Sequence, residues 1–422
     1  MEKEFGIGYQ CGKAYFRLAI NGIFYRRYYC LGRENIPAEG TPVLVAMNHQ
    51  NALNDAMGVF FAKNDRKFHF IARADAFDIH PLLARFMQYA GILPAYRLAY
   101  QGEEALADNN KTFELAEQCL LNGHSVLIFP EAGHQDKHWL GTFSYGYTRL
   151  AFQAAEKGGF QKEIFILPAA NHYSNYTGLR NQMLVSFGTP VSLKPYYELY
   201  KEKPRTAQRE VNRQVREQIE SMMLDVRDLD HYADIGFARA ILPHPFRLPE
   251  QLENDKALVR RLEGFDFTAV SAYRQALEEA RLHDTQFVDR PKWGFVVADL
   301  LLLLLLLPLA ILALWPSVLC WYLPKYFSDR VGDIMLQSSF HVGMNVLLLL
   351  PLSFILTWLI TGLCAGFWVG LLHALLIGPL FIFEWYYAKL CRDVWRDIRF
   401  LRKDTTSLAA LREQALSSLK NI

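Results

Sequence analysis

Between residues 41 and 190, short apolar runs alternate with amphipathic stretches. Val43 to Met47 precedes a helical pattern, Phe68 to Ala72 precedes ADAFDIHPLLARFMQYA, and Gly91 to Tyr96 precedes GEEALADNNKTFELAEQCLLNG. Ser125 to Phe129 is followed by a loop and then SYGYTRLAFQAAEKG, while EIFILPA and QMLVSF close the series. Strand-length runs separated by helix-period segments predict an α/β domain, a mixed sheet flanked by helices, over 36–196.

The flanking segments have different patterns. Residues 5 to 30 interleave aromatic and aliphatic positions with Lys13, Arg17, Arg26 and Arg27, too polar to span a bilayer but suited to lying along one. Residues 1–35 are therefore read as a membrane-surface helical segment; a helix packed on the following domain, its arginines solvated, is the alternative. Residues 197–292 read as a helical connector, in which Val211, Val215, Ile219 and Met222 fall on one helix face and LPHPFRLPE forms a proline-punctuated link. Nothing in that connector suggests chemistry.

Trp293 to Trp315 contains eight consecutive leucines, Leu300 to Leu307, and about 20 apolar residues suffice to cross a bilayer. A second apolar run, Val346 to Phe383, is nearly twice the length of one crossing at ~1.5 Å per residue, so it must turn, near Thr361 to Gly366. These segments define a transmembrane region at 293–388 and a basic helical tail at 389–422. Three spans is the adopted reading. It places the tail, with Arg392, Arg396, Arg399, Arg402 and Lys403, opposite the α/β domain and against the positive-inside bias. A first segment that re-enters, turning near Trp315-Pro316, would return the tail to the same side.

Composition adds exclusions. Hydrophobic residues make up 51% of the chain, part of that excess belonging to the membrane segments, and 45 basic against 43 acidic residues leave a net charge of +2 with no basic tract for nucleic acid. Six scattered cysteines without a C-x-x-C pair indicate neither a zinc site nor a disulfide framework, and suit a reducing compartment. The N-terminus lacks the apolar core and cleavage site of a secretory signal. The expected location is the cell (inner) membrane, multi-pass, with the α/β domain facing the cytoplasm.

Three strand-end loops carry candidate chemistry. His49 and Asp55 are six positions apart, and on one straight helix at ~100° per residue they would face away from each other, so they can meet only if His49 lies in a turn. A turn histidine with an aspartate behind it reads as a general base with an orienting carboxylate; a satisfied turn histidine beside a capping aspartate is the plainer alternative. Arg97, beyond the strand that contains Pro94, offers a planar, permanently charged group for a phosphate, or is a solvated strand-end arginine. In Phe129-Pro130-Glu131-Ala132-Gly133-His134, Glu131 is placed to accept hydrogen bonds from substrate hydroxyls or to serve as a turn carboxylate, and Gly133 permits close backbone approach to a ligand.

The order of these pieces resembles the glycerolipid acyltransferase superfamily, which includes bacterial 1-acylglycerol-3-phosphate acyltransferases. The family's H-x4-D, G-x-x-F-I-x-R, F-P-E-G-[ST] and proline-strand motifs have counterparts in His49…Asp55, Gly91…Arg97, Phe129 to His134, and Ile166-Leu167-Pro168-Ala169, over about 40 to 190. Two departures stand out: five residues separate His49 from Asp55, leaving Asn54 at the usual distance, and Ala132 interrupts the third motif. Those spacings, and LPAANHY at 167 to 173, look more like the fungal-type glycerol-3-phosphate/dihydroxyacetone-phosphate branch.

The resemblance implies transfer of a fatty acyl group from acyl-CoA or acyl carrier protein to a glycerol phosphate acceptor, 1-acylglycerol 3-phosphate first and glycerol 3-phosphate or dihydroxyacetone phosphate second. His49 would be the base, Asp55 its orienting partner, Arg97 the phosphate ligand and Glu131 the hydroxyl ligand. Amides around Gly133 or the His49 turn would meet the oxyanion. No cofactor is implied beyond the thioester co-substrate; the partners are membrane lipid, acceptor and donor. Two rivals remain: an esterase or thioesterase, for which the chain has no G-x-S-x-G elbow, and a non-catalytic membrane-associated protein that keeps the fold.

Overall fold

The strands are β1 (Tyr25–Leu31), β2 (Val43–Met47), β3 (Phe68–Arg73), β4 (Ile92–Ala95), β5 (Ser125–Ile128), β6 (Phe165–Tyr173), β7 (Asn181–Phe187) and β8 (Val191–Ser192). They pair in the order β1-β7-β6-β2-β5-β3-β4, with β8 on β6. The computed structural model describes residues 6–73, 77, 80–95, 111–131, 137–330 and 334–420. β6, β2, β5, β3 and β4 run parallel, so the loops that leave their C-terminal ends gather along one edge of the sheet. β7 and β8 pair antiparallel with β6 and make the sheet mixed.

β2 is buried along its whole length, as a central strand covered on both faces must be. Beside the sheet lie the helices α1 (Ile7–Leu18), α2 (Ala52–Phe60), α3 (Gly146–Lys157) and α4 (Pro204–Met222). Leu44, Ala46 and Val126 share one core with Leu150, Ala151 and Ala154 of α3 and with Val211, Val215 and Ile219 of α4.

The chain divides into two compact units, Met1–Asp225 with Val331–Val342, and Val226–Arg330 with Gly343–Ile422. Two boundaries therefore change. The α/β unit extends past 196, because the apolar face of α4 is part of its core rather than of a connector. At the other end, the membrane-surface segment read at 1–35 contains β1, which pairs with β7. The aromatic run is helical from Ile7 to Phe24, as expected, but from Tyr25 onward it is an edge strand instead. α1 packs on this unit, with Lys13 Nζ donating to the Lys63 carbonyl at 2.6 Å and Arg17 to the Phe61 carbonyl at 2.7 Å.

In the second unit, the leucine-rich segment forms one helix, Trp293–Ser328, with no reversal at Trp315-Pro316. It and Leu336–Ala365 are long and apolar enough to cross a membrane, and a third span exists if the bent pair Phe367–Leu375 and Ile377–Leu401 counts as one. The second apolar run turns at Gly366, within the expected region, where φ is +99° and a side chain would be strained. A Cβ at Gly370 would lie 2.5 Å from Gly362 N, so the hairpin closes only around glycines. Val296 and Leu303 pack against Val394, Tyr387 and Ile398. That side-by-side contact puts Trp293 and the basic tail at the same end of this unit, whereas three full spans would separate them.

Candidate active site

The parallel register brings the β2 and β5 loops together and lets β6 overrun them. Met47 pairs with Ala169, so Asn171 and Tyr173 of β6 project past the end of β2, beside the turn Asn48-His49-Gln50-Asn51. Asn48 and Asn171 exchange two hydrogen bonds, Asn171 N to Asn48 Oδ1 at 2.8 Å and Asn48 Nδ2 to Asn171 O at 3.1 Å, which continue the ladder through a side chain.

His49 does lie in a turn. Ala52, first residue of α2, has φ +40°, a left-handed value unusual for alanine, and this break lets positions 49 and 55 face each other. His49 Nδ1 lies 3.0 Å from Asp55 Oδ2. The same oxygen accepts the amides of Gln50 at 2.8 Å and Asn51 at 2.7 Å, in the manner of a capping carboxylate at the positive end of a helix. Asp55 Oδ1 accepts from Asn171 Nδ2 at 3.1 Å and Tyr173 OH at 2.8 Å. A fully buried carboxylate is costly unless hydrogen-bonded, and here five donors surround it. Burial and the nearby Asp55 charge push the Tyr173 phenol well above its ordinary value, so it remains a donor.

Because Asp55 accepts from its neighbours on both oxygens, His49 Nδ1 carries the proton and Nε2 the lone pair. The imidazole also stacks on Phe129, centroids 3.8 Å apart and planes 14° off parallel, which fixes the ring plane. Such a pair can take a proton from a hydroxyl while the buried carboxylate stabilises the imidazolium that forms. Asn54 faces elsewhere: its side chain donates to Asn51 Oδ1 at 3.1 Å and Ser338 Oγ at 3.0 Å.

Glu131 bridges two loops. Its Oε1 accepts the His49 amide at 2.8 Å and its Oε2 the Gly141 amide at 2.7 Å. Burial raises its carboxyl above the usual range, and these two amides work against the shift. Arg216 of α4 donates to the carbonyls of Gly141 and Leu140, clamping the far side of that loop. The amides of His49, Gln50 and Asn51 are thus all committed to carboxylates. Gly133 and Arg97 lie outside the described residues.

Sequence reasoning missed several supports of this site. Asn171 sits fully buried in FILPAANHY, and a polar residue in an otherwise mostly apolar strand was the readable signal. Gln50 is held by Tyr176 OH at 2.7 Å, and Tyr176 OH also meets His138 Nδ1 at 2.8 Å. Ser339 Oγ donates to the Asn51 carbonyl at 2.9 Å, from a segment almost 300 positions away in the chain. Among the described residues, no three His, Cys, Asp or Glu side chains gather as a metal-ligand set.

Fold and site together give a mixed sheet with a histidine and a carboxylate beyond the end of a central strand. Residues 27–171 match the family described as Acyltransferase. A solved 1-acyl-sn-glycerophosphate (LPA) acyltransferase, PlsC from Thermotoga maritima, is similar at 18% identity over 49% of this chain and 78% of that one, with a TM-score of 0.36. No curated protein sequence is significantly similar.

Proposed function

We propose that this protein moves a fatty acyl group from a thioester donor, acyl-CoA or acyl carrier protein, to a free hydroxyl of 1-acylglycerol 3-phosphate. The observation that carries this reading is the His49–Asp55 pair, whose tautomer is set by a carboxylate with five donors. His49 Nε2 takes the proton of the acceptor hydroxyl as its oxygen attacks the thioester carbonyl. The tetrahedral intermediate expels the thiolate, which takes the proton back from the imidazolium, leaving an ester and a free thiol. Attack is direct, without an acyl-enzyme. Arg97 is assigned the acceptor phosphate. Glu131 retains lone pairs for acceptor hydroxyls while it holds the His49 turn, and the oxyanion donors are assigned to the backbone near Gly133.

The second acceptor reading, glycerol 3-phosphate or dihydroxyacetone phosphate, is favoured by the separation of His49 and Asp55 by five residues. Purified full-length protein in lipid nanodiscs, supplied with acyl-CoA or acyl carrier protein thioester and each acceptor in turn, separates the two. The proposal expects the highest kcat/KM with 1-acylglycerol 3-phosphate. A preference for the unacylated acceptors would replace it with the second reading, and hydrolysis without transfer would overturn both.

A further inference from the structure

The second unit contains a cavity of about 850 Å³, within the size range of small-ligand pockets. One wall is apolar, built from Phe237, Ile241, Leu277 and Leu282. The other is basic, built from Arg281 of the connector and from Arg392, Arg396 and Arg399 on the last turns of Ile377–Leu401. The two carboxylates at its edge are already occupied: Glu278 pairs with Arg274 at 3.0 Å and Asp284 with Arg412 at 2.7 Å. Arg396 lies 3.5 Å from Asp393. Among the described residues, no carboxylate comes within ion-pair distance of Arg281, Arg392 or Arg399. Arg399 donates to the Arg281 carbonyl at 3.2 Å, and none of the three guanidinium groups has a carboxylate partner of its own among those residues. Burial, and then the charge of Arg396, hold the His283 imidazole below its ordinary value, with Asp393 acting the other way.

The segments that lead into the cavity have the composition of a membrane interface. The helix that carries its arginines leaves an apolar stretch at Phe383 and passes through Trp385, Tyr386 and Tyr387 before reaching them. Tyr387 OH donates to the Leu303 carbonyl at 3.2 Å, and Val394 packs on Val296, so the cavity stands just beyond the start of the leucine-rich helix. Trp293 is 49% exposed and Trp395 63% exposed, as interfacial anchors are. Arginines lining a cavity of this volume, next to an apolar wall, match a phosphate joined to acyl chains.

We propose that this cavity binds one anionic membrane phospholipid, its phosphate held by Arg281, Arg392 and Arg399 and the start of an acyl chain lying on Phe237, Ile241 and Leu277. This site is separate from the histidine site and does not depend on the reaction assigned there.

The test is native mass spectrometry of the full-length chain in detergent, titrated with dioleoylphosphatidylglycerol and, in parallel, with dioleoylphosphatidylcholine. The expected result is one phosphatidylglycerol bound at least tenfold more tightly than phosphatidylcholine. The triple variant R281Q/R392Q/R399Q should abolish that preference. Ala240→Trp fills the apolar wall from an exposed position and should weaken phosphatidylglycerol at least tenfold while the arginines remain. Circular dichroism melts of both variants check folding, and a variant that unfolds is replaced by its single Arg→Gln or by Ala240→Phe. Equal affinity for the two lipids, or a preference that survives the triple variant, would overturn the proposal. So would competition by inorganic phosphate at the same concentration, which would show an anion site without an acyl component. Displacement of the lipid by acidic acyl carrier protein, lost in the triple variant, would overturn it in favour of a protein-docking surface.

Discussion

Asp55 Oδ2 lies 3.0 Å from His49 Nδ1 while accepting the amides of Gln50 and Asn51, so one oxygen both orients the ring and closes the turn that presents it. Asp55→Asn turns one of these acceptors into a donor aimed at donors. Loss of the correct tautomer should lower kcat by about 10² to 10⁴. Asn54→Ala, which removes bonds to Asn51 and Ser338 but leaves the ring alone, should cost less than about tenfold. Steady-state kinetics on both variants checks this, and a greater sensitivity at Asn54 would contradict the assignment.

Glu131 holds the His49 and Gly141 amides at the same time. Glu131→Gln must present its NH2 group to one of those N–H donors, so the turn loosens. The expected outcome is a fall in kcat of about tenfold or more, from displacement of the base. The acceptor KM distinguishes the two roles of this residue. A large rise in KM with kcat unchanged would mean that hydroxyl binding, not positioning, is what the carboxylate mainly does.

Ser338 and Ser339 brace the start of α2 through Asn54 and Asn51. Removing a buried hydroxyl whose partner stays behind costs about 1 kcal/mol or more, so Ser339→Ala should lower Tm and reduce kcat several-fold with the donor KM unchanged. Ser339→Thr, which keeps the hydroxyl, should restore kcat. Wild-type melting and turnover in the alanine variant would show that the contact is idle.

Much of this architecture was legible in the chain. The apolar runs marked β2, β3, β4, β5, β6 and β7, because strands covered on both faces leave little room for polar residues. β1 was not legible: its Tyr25-Arg26-Arg27-Tyr28-Tyr29 carries the composition of an interfacial helix, and only pairing with β7 makes it a strand. At the site, His49 and Glu131 stood out as polar residues at strand ends, and Asp55 as a carboxylate in the first turn of the following helix. Asn171, Arg216 and Ser339 did not, since they reach the site through register and long-range packing that no local pattern encodes.

Arg97 follows β4 by two positions, and its role is tested by kinetics. Lysine keeps the charge but loses the planar two-point contact, so Arg97→Lys should raise the acceptor KM several-fold and leave the donor KM nearly unchanged. An unchanged acceptor KM would return Arg97 to the solvated surface.

The central claim is that His49 is the base. It is tested by the turnover of His49→Ala in nanodiscs with a saturating thioester donor and 1-acylglycerol 3-phosphate, after expression and membrane association are shown to match the wild type. A positioned general base is worth about 10² to 10⁴ in rate, and the account predicts a loss of that size. Residual turnover above about a tenth of wild type, far outside that range, would contradict it.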